Sequence, residues 1–282
     1  MPELPEVETV RRQLAPAIEG RQIDQLEVLD PRWCNPLDGR QLADAVRGLR
    51  VQHLARHGKY LDWQLDDERH LLMHLRMTGT LLLDPPAPPP YARVRIDLGE
   101  RTLWFCDPRR FGTGELVLGD QALTRLLAGR LGIDPFDDGF SGPLLRALAK
   151  GRRGPIKSFL LDQHNVAGIG NIYADEALFR ARIHPRRAAG SLMPRQYALL
   201  SETIREALAA GIDAGGASID DFRDLDGARG SFQDRFLVHR REGEPCPVCG
   251  TPIEKIVVGG RGTYFCRHCQ SVPRSRAAAR SR

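Results

Sequence analysis

Apolar positions change their rhythm twice along the chain. Behind the first few residues, Val7, Val10, Leu14 and Ile18 recur at intervals of three and four, one face of an amphipathic helix. Pro5 suits the first turn of that helix, Glu6 and Glu8 the positive end of its dipole, and Gly20 its end. From about Ile23 to Leu118 the pattern becomes strand-like. VQHLARH, KYLDWQL, HLLMHLRM, TLLLD, ARVRIDL and RTLWFCD are short β-rich runs broken by Gly, Asp and Pro. Strands of this kind bury their faces by packing into a sandwich or flattened barrel. The run DPPAPPP at 84–90 is a stiff, exposed connection. After Gly119 helical spacing returns in QALTRLLAGRL, SGPLLRALAKG, PIKSFLLDQ, NIYADEALFRARI and PRQYALLSETIREALAAGI. The Gly- and Asp-rich stretch 215–234 reads as a long loop.

The chain is therefore expected to be α+β with two domains, the N-terminal one a β-sandwich flanked by a helix. Boundaries fall at 1–120 for the sandwich and 121–234 for a helical domain. A small cysteine module follows at 235–274, with a basic tail at 275–282. No apolar run could span a bilayer, and no signal or transit sequence precedes Glu3, so a soluble, cytosolic-type protein is expected. The net charge of +5 is unevenly spread. Residues 1–150 carry 20 Lys+Arg against 22 Asp+Glu, and residues 151–282 carry 21 against 14. A basic second half is suited to a polyanion such as nucleic acid, although solvated surface produces the same imbalance.

Four of the six cysteines form Cys246-x2-Cys249 and Cys266-x2-Cys269, with sixteen residues between the pairs. Two such knuckles supply four thiolates for a closed, structural zinc centre, the alternatives being disulfides or chance spacing. The intervening TPIEKIVVGGRGTYF reads as a β-hairpin with Arg261 at its tip, where a guanidinium can make bidentate contact with a phosphate or simply be a surface charge. In HNVAGIGNIYADEALF, Gly168 and Gly170 open a helix near Asn171, whose free N–H groups favour an anion. With the helix before it, this makes a helix–two-turn–helix unit. Lys59 heads a strand in HGKY. DPRRFG sets Arg109, Arg110 and Phe111 on one loop, a composition suited to insertion into a nucleic-acid stack or to an ordinary surface loop around a buried Phe. Met77 in HLRMTG is a core residue or a wedge. Cys34 and Cys106 read as small buried hydrophobes. Pro2 is either a stiffener of an exposed terminus or, once Met1 is removed, a free secondary amine.

Taken together, MPELPEVETVRR, GKY, HLRMTG, DPRRFG, GIGNIYADEALF, the HP after Ile183, GEPCPVCGTPI and the final knuckle resemble the formamidopyrimidine-DNA glycosylase family of bacterial glycosylase/AP lyases, related to endonuclease VIII. The likeness is collinear and spans nearly the whole chain. It implies a bacterial, cytoplasmic, nucleoid-associated monomer with one structural zinc ion, acting on duplex DNA that contains oxidised bases or abasic sites. It implies base excision and β,δ-elimination on oxidised purines, with Pro2 as nucleophile and Glu3 as its acid/base partner. Lys59 and Arg261 would assist at the phosphates. His74, Met77, Arg109, Phe111, Gly170, Asn171 and Arg261 would bind DNA, with Met77, Arg109 and Phe111 filling the gap left by an everted nucleotide. Glu6 matches a position near the damaged base, and the 215–234 loop matches a base-capping loop. Cys246, Cys249, Cys266 and Cys269 would hold the zinc.

One position departs from the family pattern. FLVHRR has His239 where a Tyr is expected, so its role in phosphate contact is open. An endonuclease VIII-like enzyme for oxidised pyrimidines is the nearest alternative. MPELPEVET, with Arg109 and Phe111 in DPRRFG, favours the purine branch. A non-catalytic zinc-ribbon DNA binder is the alternative from another class, and trapping at the terminal amine discriminates it.

Overall fold

The computed structural model describes residues 1–219 and 222–271; the expected basic tail lies outside them. Helix α1, Leu4–Ile18, forms where the apolar face predicts it, with Pro5 in its first turn. Val7, Val10, Leu14 and Ile18 are all essentially inaccessible to solvent. They lie against two four-stranded antiparallel sheets. The first orders as β1 (Gln25–Val28), β6 (Ala92–Leu98), β7 (Arg101–Cys106) and β5 (Thr80–Leu83). The second orders as β2 (Val51–His57), β3 (Tyr60–Leu65), β4 (Arg69–His74) and β8 (Thr113–Leu118). Leu26, Val94, Ile96 and Phe105 from the first sheet share one buried core with Leu54, Leu61, Trp63 and Met73 from the second. Each such side chain contributes about 1.5–3 kcal/mol on burial. The outer face of the second sheet is covered at Leu72 and Val117 by Leu123 of α3, Asp120–Ala128.

Two local expectations are corrected. The 23–118 stretch is not wholly strand: Gly39–Val46 is a helix, α2. Asp38 accepts from Gln41 N–H at 2.8 Å while the Gln41 side chain accepts from Asp38 N–H at 3.1 Å, a reciprocal cap that starts a helix in a β-rich neighbourhood. The run HLLMHLRM is strand only as far as His74, because Arg76 adopts φ +54° and begins a turn.

Contacts divide the chain into two units. The first comprises Met1–Asp134 with Leu208–Arg235; the second comprises Pro135–Ala207 with the described residues from Phe236 onward. The 215–234 loop, assigned by texture to the helical domain, thus falls in the unit of the sandwich. Its Phe222 and Leu225 are buried in the sandwich core. Gln13 of α1 donates to Asp224 and accepts from Leu225 N–H, at 3.0 and 3.1 Å.

The second unit contains α4 (Gly142–Ala149), α5 (Ile156–Leu161), α6 (Asn171–Arg180) and the start of α7 (Pro194–Asp213). The turn between α5 and α6 is stitched by Gln163, which donates to the carbonyls of Leu161 and Ile169 and accepts from Gly168 N–H. Gly168 sits at φ +84°, a conformation that side chains rarely adopt. Strands β9 (Glu254–Val258) and β10 (Arg261–Phe265) form the expected hairpin. Gly259 and Gly260, at φ +55° and +73°, supply its two-residue turn.

Candidate functional site

At the chain start, Met1 is about half exposed while Pro2 and Glu3 are buried at the N-terminus of α1. The Glu6 carboxylate accepts from Glu3 N–H at 2.7 Å, and its other oxygen accepts from Ala217 N–H at 2.7 Å. Glu6 therefore joins the helix start to the 215–234 loop. The fit is close, since a Cβ on Gly216 would meet Glu6 Cγ at 2.9 Å. Two residues on, Glu8 is buried among Arg11, Arg12 and Arg56. Burial alone would raise its pKa, but these guanidinium groups outweigh it and hold Glu8 down at about 2.

Lys59 is buried in the Gly58–Lys59 turn between β2 and β3, with Gly58 at φ +57°. His74, at the end of β4, pairs in register with Tyr60 and packs edge-on to its ring at 4.6 Å. Burial, with the nearby Arg76 and Lys59 charges, pushes His74 down to about 3. Its imidazole is therefore neutral at pH 7, and Nδ1 accepts from Arg76 N–H at 2.9 Å. His74 thus shapes the turn that carries Met77.

Arg109 and Phe111 are exposed on the β7–β8 loop, with the Arg109 guanidinium 4.9 Å from the Phe111 ring centre. Met77 is half-buried in the β4–β5 turn. The buried carboxylate of Asp107 joins the two loops, accepting from the N–H groups of Arg109, Phe111 and Gly112 and from the Thr78 hydroxyl. Arg110 turns aside at φ +60° to pair with Asp30 at 3.3 Å.

In the second unit, Asn171 begins α6 behind Gly170, the helix N-cap. The Asn171 carboxamide donates to the carbonyl of Gly262 at 2.9 Å, which joins the helix start to the hairpin. Arg261 is exposed at the hairpin tip, as expected. A wholly buried ion pair lies beneath it: Lys157 Nζ meets Asp175 Oδ1 at 2.7 Å and donates to Gly262 O and Thr263 Oγ1. The other Asp175 oxygen accepts from Tyr264 N–H and pairs with His239 Nδ1 at 2.9 Å. His239 is buried, edge-on to Phe236 and Tyr264, so this face of the imidazole is committed to the network. Glu176 accepts from the N–H groups of Leu237, Val238 and His239, pinning the entry to the cysteine module.

The four cysteines converge: their Sγ atoms all lie within 4.8 Å of one another. Cys246 and Cys269 are 3.9 Å apart, and Cys249 and Cys266 3.5 Å. Ligands at the ~2.3 Å zinc–sulfur distance would stand about 3.8 Å apart in a tetrahedron, so the set fits a closed four-thiolate metal centre. Cys34 and Cys106 are buried elsewhere, and burial pushes the Cys106 thiol up to about 11.

Sequence reasoning missed the residues that act beneath the surface: Asp107, Thr78, Lys157, Asp175 and Glu176. A signal for two of them stood in NIYADEALF, where adjacent acids interrupt an apolar helix. Buried acids are uncommon without partners.

Comparison with known proteins bears on all of these segments. Residues 1–114 match the formamidopyrimidine-DNA glycosylase N-terminal domain, 131–223 the H2TH domain of the same proteins, and 243–272 a zinc finger found in FPG and IleRS. The formamidopyrimidine-DNA glycosylase of Methylococcus capsulatus is 45% identical over 276 residues, covering 96% of this chain and all of that one. That of Hahella chejuensis is 43% identical with the same coverage. Among solved structures, Lactococcus lactis Fpg in complex with DNA containing an abasic site superposes with a TM-score of 0.89 at 38% identity, covering 96% of this chain and 100% of that one. The MutM (FPG) protein of Thermus thermophilus gives 0.86 at 43% identity, covering 95% and 98%. With the sandwich, the helical unit and the four-cysteine hairpin all matched in one order, the chain belongs to the formamidopyrimidine-DNA glycosylase family.

Proposed function

We propose that this chain is a base-excision DNA glycosylase that also cleaves the abasic strand, acting on oxidised purines such as 8-oxoguanine and formamidopyrimidines. The observation that carries the reading is the chain start, where Pro2 and Glu3 are buried against a helix that fixes them. A terminus serving only as a solvated end has no need of such a mount.

Once Met1 is removed, the Pro2 nitrogen is a secondary amine. An α-amino group has a pKa near ~8, against ~10.4 for a Lys side chain, so a useful neutral fraction exists at pH 7. Attack on C1′ displaces the damaged base and gives a ring-opened iminium, which has no N–H to lose and keeps its positive charge. The C2′ proton then becomes acidic, so β-elimination expels the 3′ phosphate and δ-elimination the 5′ phosphate. These steps leave a one-nucleotide gap with phosphate at both ends. Glu3, the adjacent residue, is placed to carry the protons. Glu6, engaged by Glu3 and Ala217, borders the same place and would face the everted base.

Eversion costs a few kcal/mol, offset when other side chains take the vacated space. Met77, Arg109 and Phe111 are suited to that insertion by their loops and by the guanidinium-on-ring pairing. Lys59 supplies a cation for the lesion phosphate. Asn171, at the amide-rich start of α6, and Arg261, at the hairpin tip, supply donors for the backbone. The four thiolates would hold zinc, which when bound supplies a closed structural cross-link for the hairpin.

Borohydride reduction tests the reading. Protein shown by mass to begin at Pro2 should form a covalent adduct with an 8-oxoguanine:C duplex, and less with a thymine-glycol:A duplex. Absence of any adduct would identify a non-catalytic binder. Stronger trapping on thymine glycol would assign the endonuclease VIII-like specificity instead.

A further inference from the structure

We infer that Asp107 is a positioning residue that makes the two insertion loops move as one body, with Thr78 as the tie between them. The inference rests on the reading that Met77, Arg109 and Phe111 enter the DNA stack. It concerns a residue that touches neither DNA nor the reacting atoms.

Asp107 follows the last residue of β7 and is completely buried. Its backbone is anchored on both sides: the N–H donates to Tyr91 O at 3.0 Å, and the carbonyl accepts from Arg93 Nε at 2.8 Å. The side chain therefore starts from a fixed point. Oδ1 accepts from Arg109 N–H at 3.0 Å and from the Thr78 hydroxyl; Oδ2 accepts from Phe111 N–H at 2.8 Å and Gly112 N–H at 2.7 Å. Four donors fill the carboxylate's acceptor capacity. Three belong to the loop of Arg109 and Phe111, and the fourth to the residue next to Met77.

Each loop is seated at one glycine, where the backbone leaves no room for a side chain. A Cβ on Gly112 would meet Phe105 Cζ at 2.4 Å, so the backbone there lies directly on the core. In the other loop Gly79 N–H closes the turn on Leu75 O at 2.9 Å, and a Cβ on Gly79 would meet that oxygen at 2.4 Å. The 75–79 turn is closed by its own backbone and the 107–112 loop by the Asp107 carboxylate, and the Thr78–Asp107 bond links one to the other. Three side chains entering one gap need fixed separations, because independent loops would lose their freedom on binding. Placing them on one support meets that cost during folding.

The link can be cut without removing any inserting side chain. Thr78→Val deletes the hydroxyl while leaving the three N–H bonds to Asp107. Asp107→Asn turns an acceptor into a donor facing amide N–H groups. A 2-aminopurine beside the lesion reports insertion by the rate of its fluorescence rise, normalised to enzyme active in borohydride trapping. Thr78→Val should slow that rise about tenfold and lower kcat/KM on a paired 8-oxoguanine:C duplex by the same factor, the worth of one charged hydrogen bond. Trapping at saturating enzyme on a pre-formed abasic site should stay within twofold. Asp107→Asn should slow the rise by more than Thr78→Val.

A purely structural role would lower the trappable fraction and leave the normalised rise unchanged; that result for Thr78→Val overturns the inference, whether or not Asp107→Asn folds. Phe111→Ala separates the layers of the argument. If it slows the rise while Thr78→Val does not, insertion stands and the coupling falls. If it leaves the rise unchanged, the insertion reading falls and takes this inference with it.

Discussion

Around Pro2 and Glu3 the chain is fastened by a large apolar core. Helix α1 contributes Val7, Val10, Leu14 and Ile18 to a cluster that runs through both sheets of the sandwich. Around Arg261 the corresponding cluster among the described residues is Phe179, Val238, Cys246, Ile253 and Cys266, and two of those five are themselves thiols. The first region can hold a reactive group by packing. The second cannot, and relies on cross-links: four convergent thiols, a buried ion pair, and Glu176 gripping three consecutive amides. Both arrangements fix the backbone of a segment proposed to meet DNA, but they fail under different insults. A small module lacks the apolar area to offset the entropy of ordering its chain, so bonds of high individual strength replace many weak contacts.

Metal removal should separate the two most sharply. Structural zinc contributes about 10–16 kcal/mol of folding free energy in small modules. Chelation, or Cys266→Ser, should therefore unfold the hairpin and abolish DNA binding while the sandwich keeps its thermal transition. Near-ultraviolet circular dichroism of the sandwich tryptophans Trp33 and Trp63, both buried in its core, follows one region, and zinc release followed by a colorimetric chelator reports the other. Loss of both signals together would show that the sandwich depends on the hairpin and would dissolve the contrast.

The next largest effect should come from Asp175→Asn. Lys157 and Asp175 are both wholly inaccessible to solvent, and breaking such a pair by removing one charge costs about 3–5 kcal/mol because the other is left buried. The variant should retain zinc, yet lose stability in denaturant and bind DNA more weakly, since Lys157 and Asp175 also hold Gly262, Thr263 and Tyr264 at the hairpin. Replacing both members, as Lys157→Met with Asp175→Leu, should recover part of the stability without restoring the hairpin's polar anchoring. Full stability in the single variant would mean that the thiol cross-link alone holds the tip.

The same contrast explains how much was readable in the sequence. Periodicity alone located α1, most strands and the later helices, because in the sandwich the apolar pattern is also what holds the structure together. The cysteine spacing and the Gly-Gly turn located the hairpin, because both are local in the chain. Long-range polar contacts were not readable: Asp107 meets Thr78 29 residues away, and Lys157 meets Thr263 106 residues away. Nothing in either local stretch distinguishes such a residue from a solvated charge. Helix α2 was missed for a different reason. Its two buried positions, Leu42 and Val46, are too few to establish a period, and the Asp38–Gln41 cap that starts it lies within a single turn. The position of His239 was readable, but its setting was not, since its partner Asp175 lies 64 residues earlier.

The sandwich has an ionic fastening of its own, smaller and of opposite character to the one under the hairpin. Glu8 sits among Arg11, Arg12 and Arg56, with Arg12 largely exposed, so water shares in the pairing. In the unfolded chain this carboxyl titrates near 4.5, and in the folded protein at about 2. Between those values the unfolded chain takes up a proton that the folded protein refuses. The stabilisation is therefore fully present well above pH 4.5 and is lost as pH falls through 2; the full shift would be worth about 3–4 kcal/mol, which solvent screening at Arg12 reduces to about 2–3 kcal/mol. Glu8→Gln should lower stability at pH 7 by that amount and reduce the acid sensitivity of the sandwich between pH 4.5 and 2. Urea unfolding followed by tryptophan fluorescence across this range measures both. If the variant's stability falls with pH as steeply as the parent's, the acid-sensitive group is another carboxylate. The sandwich would then owe its hold on the chain start to packing and to the Glu6 bonds rather than to Glu8.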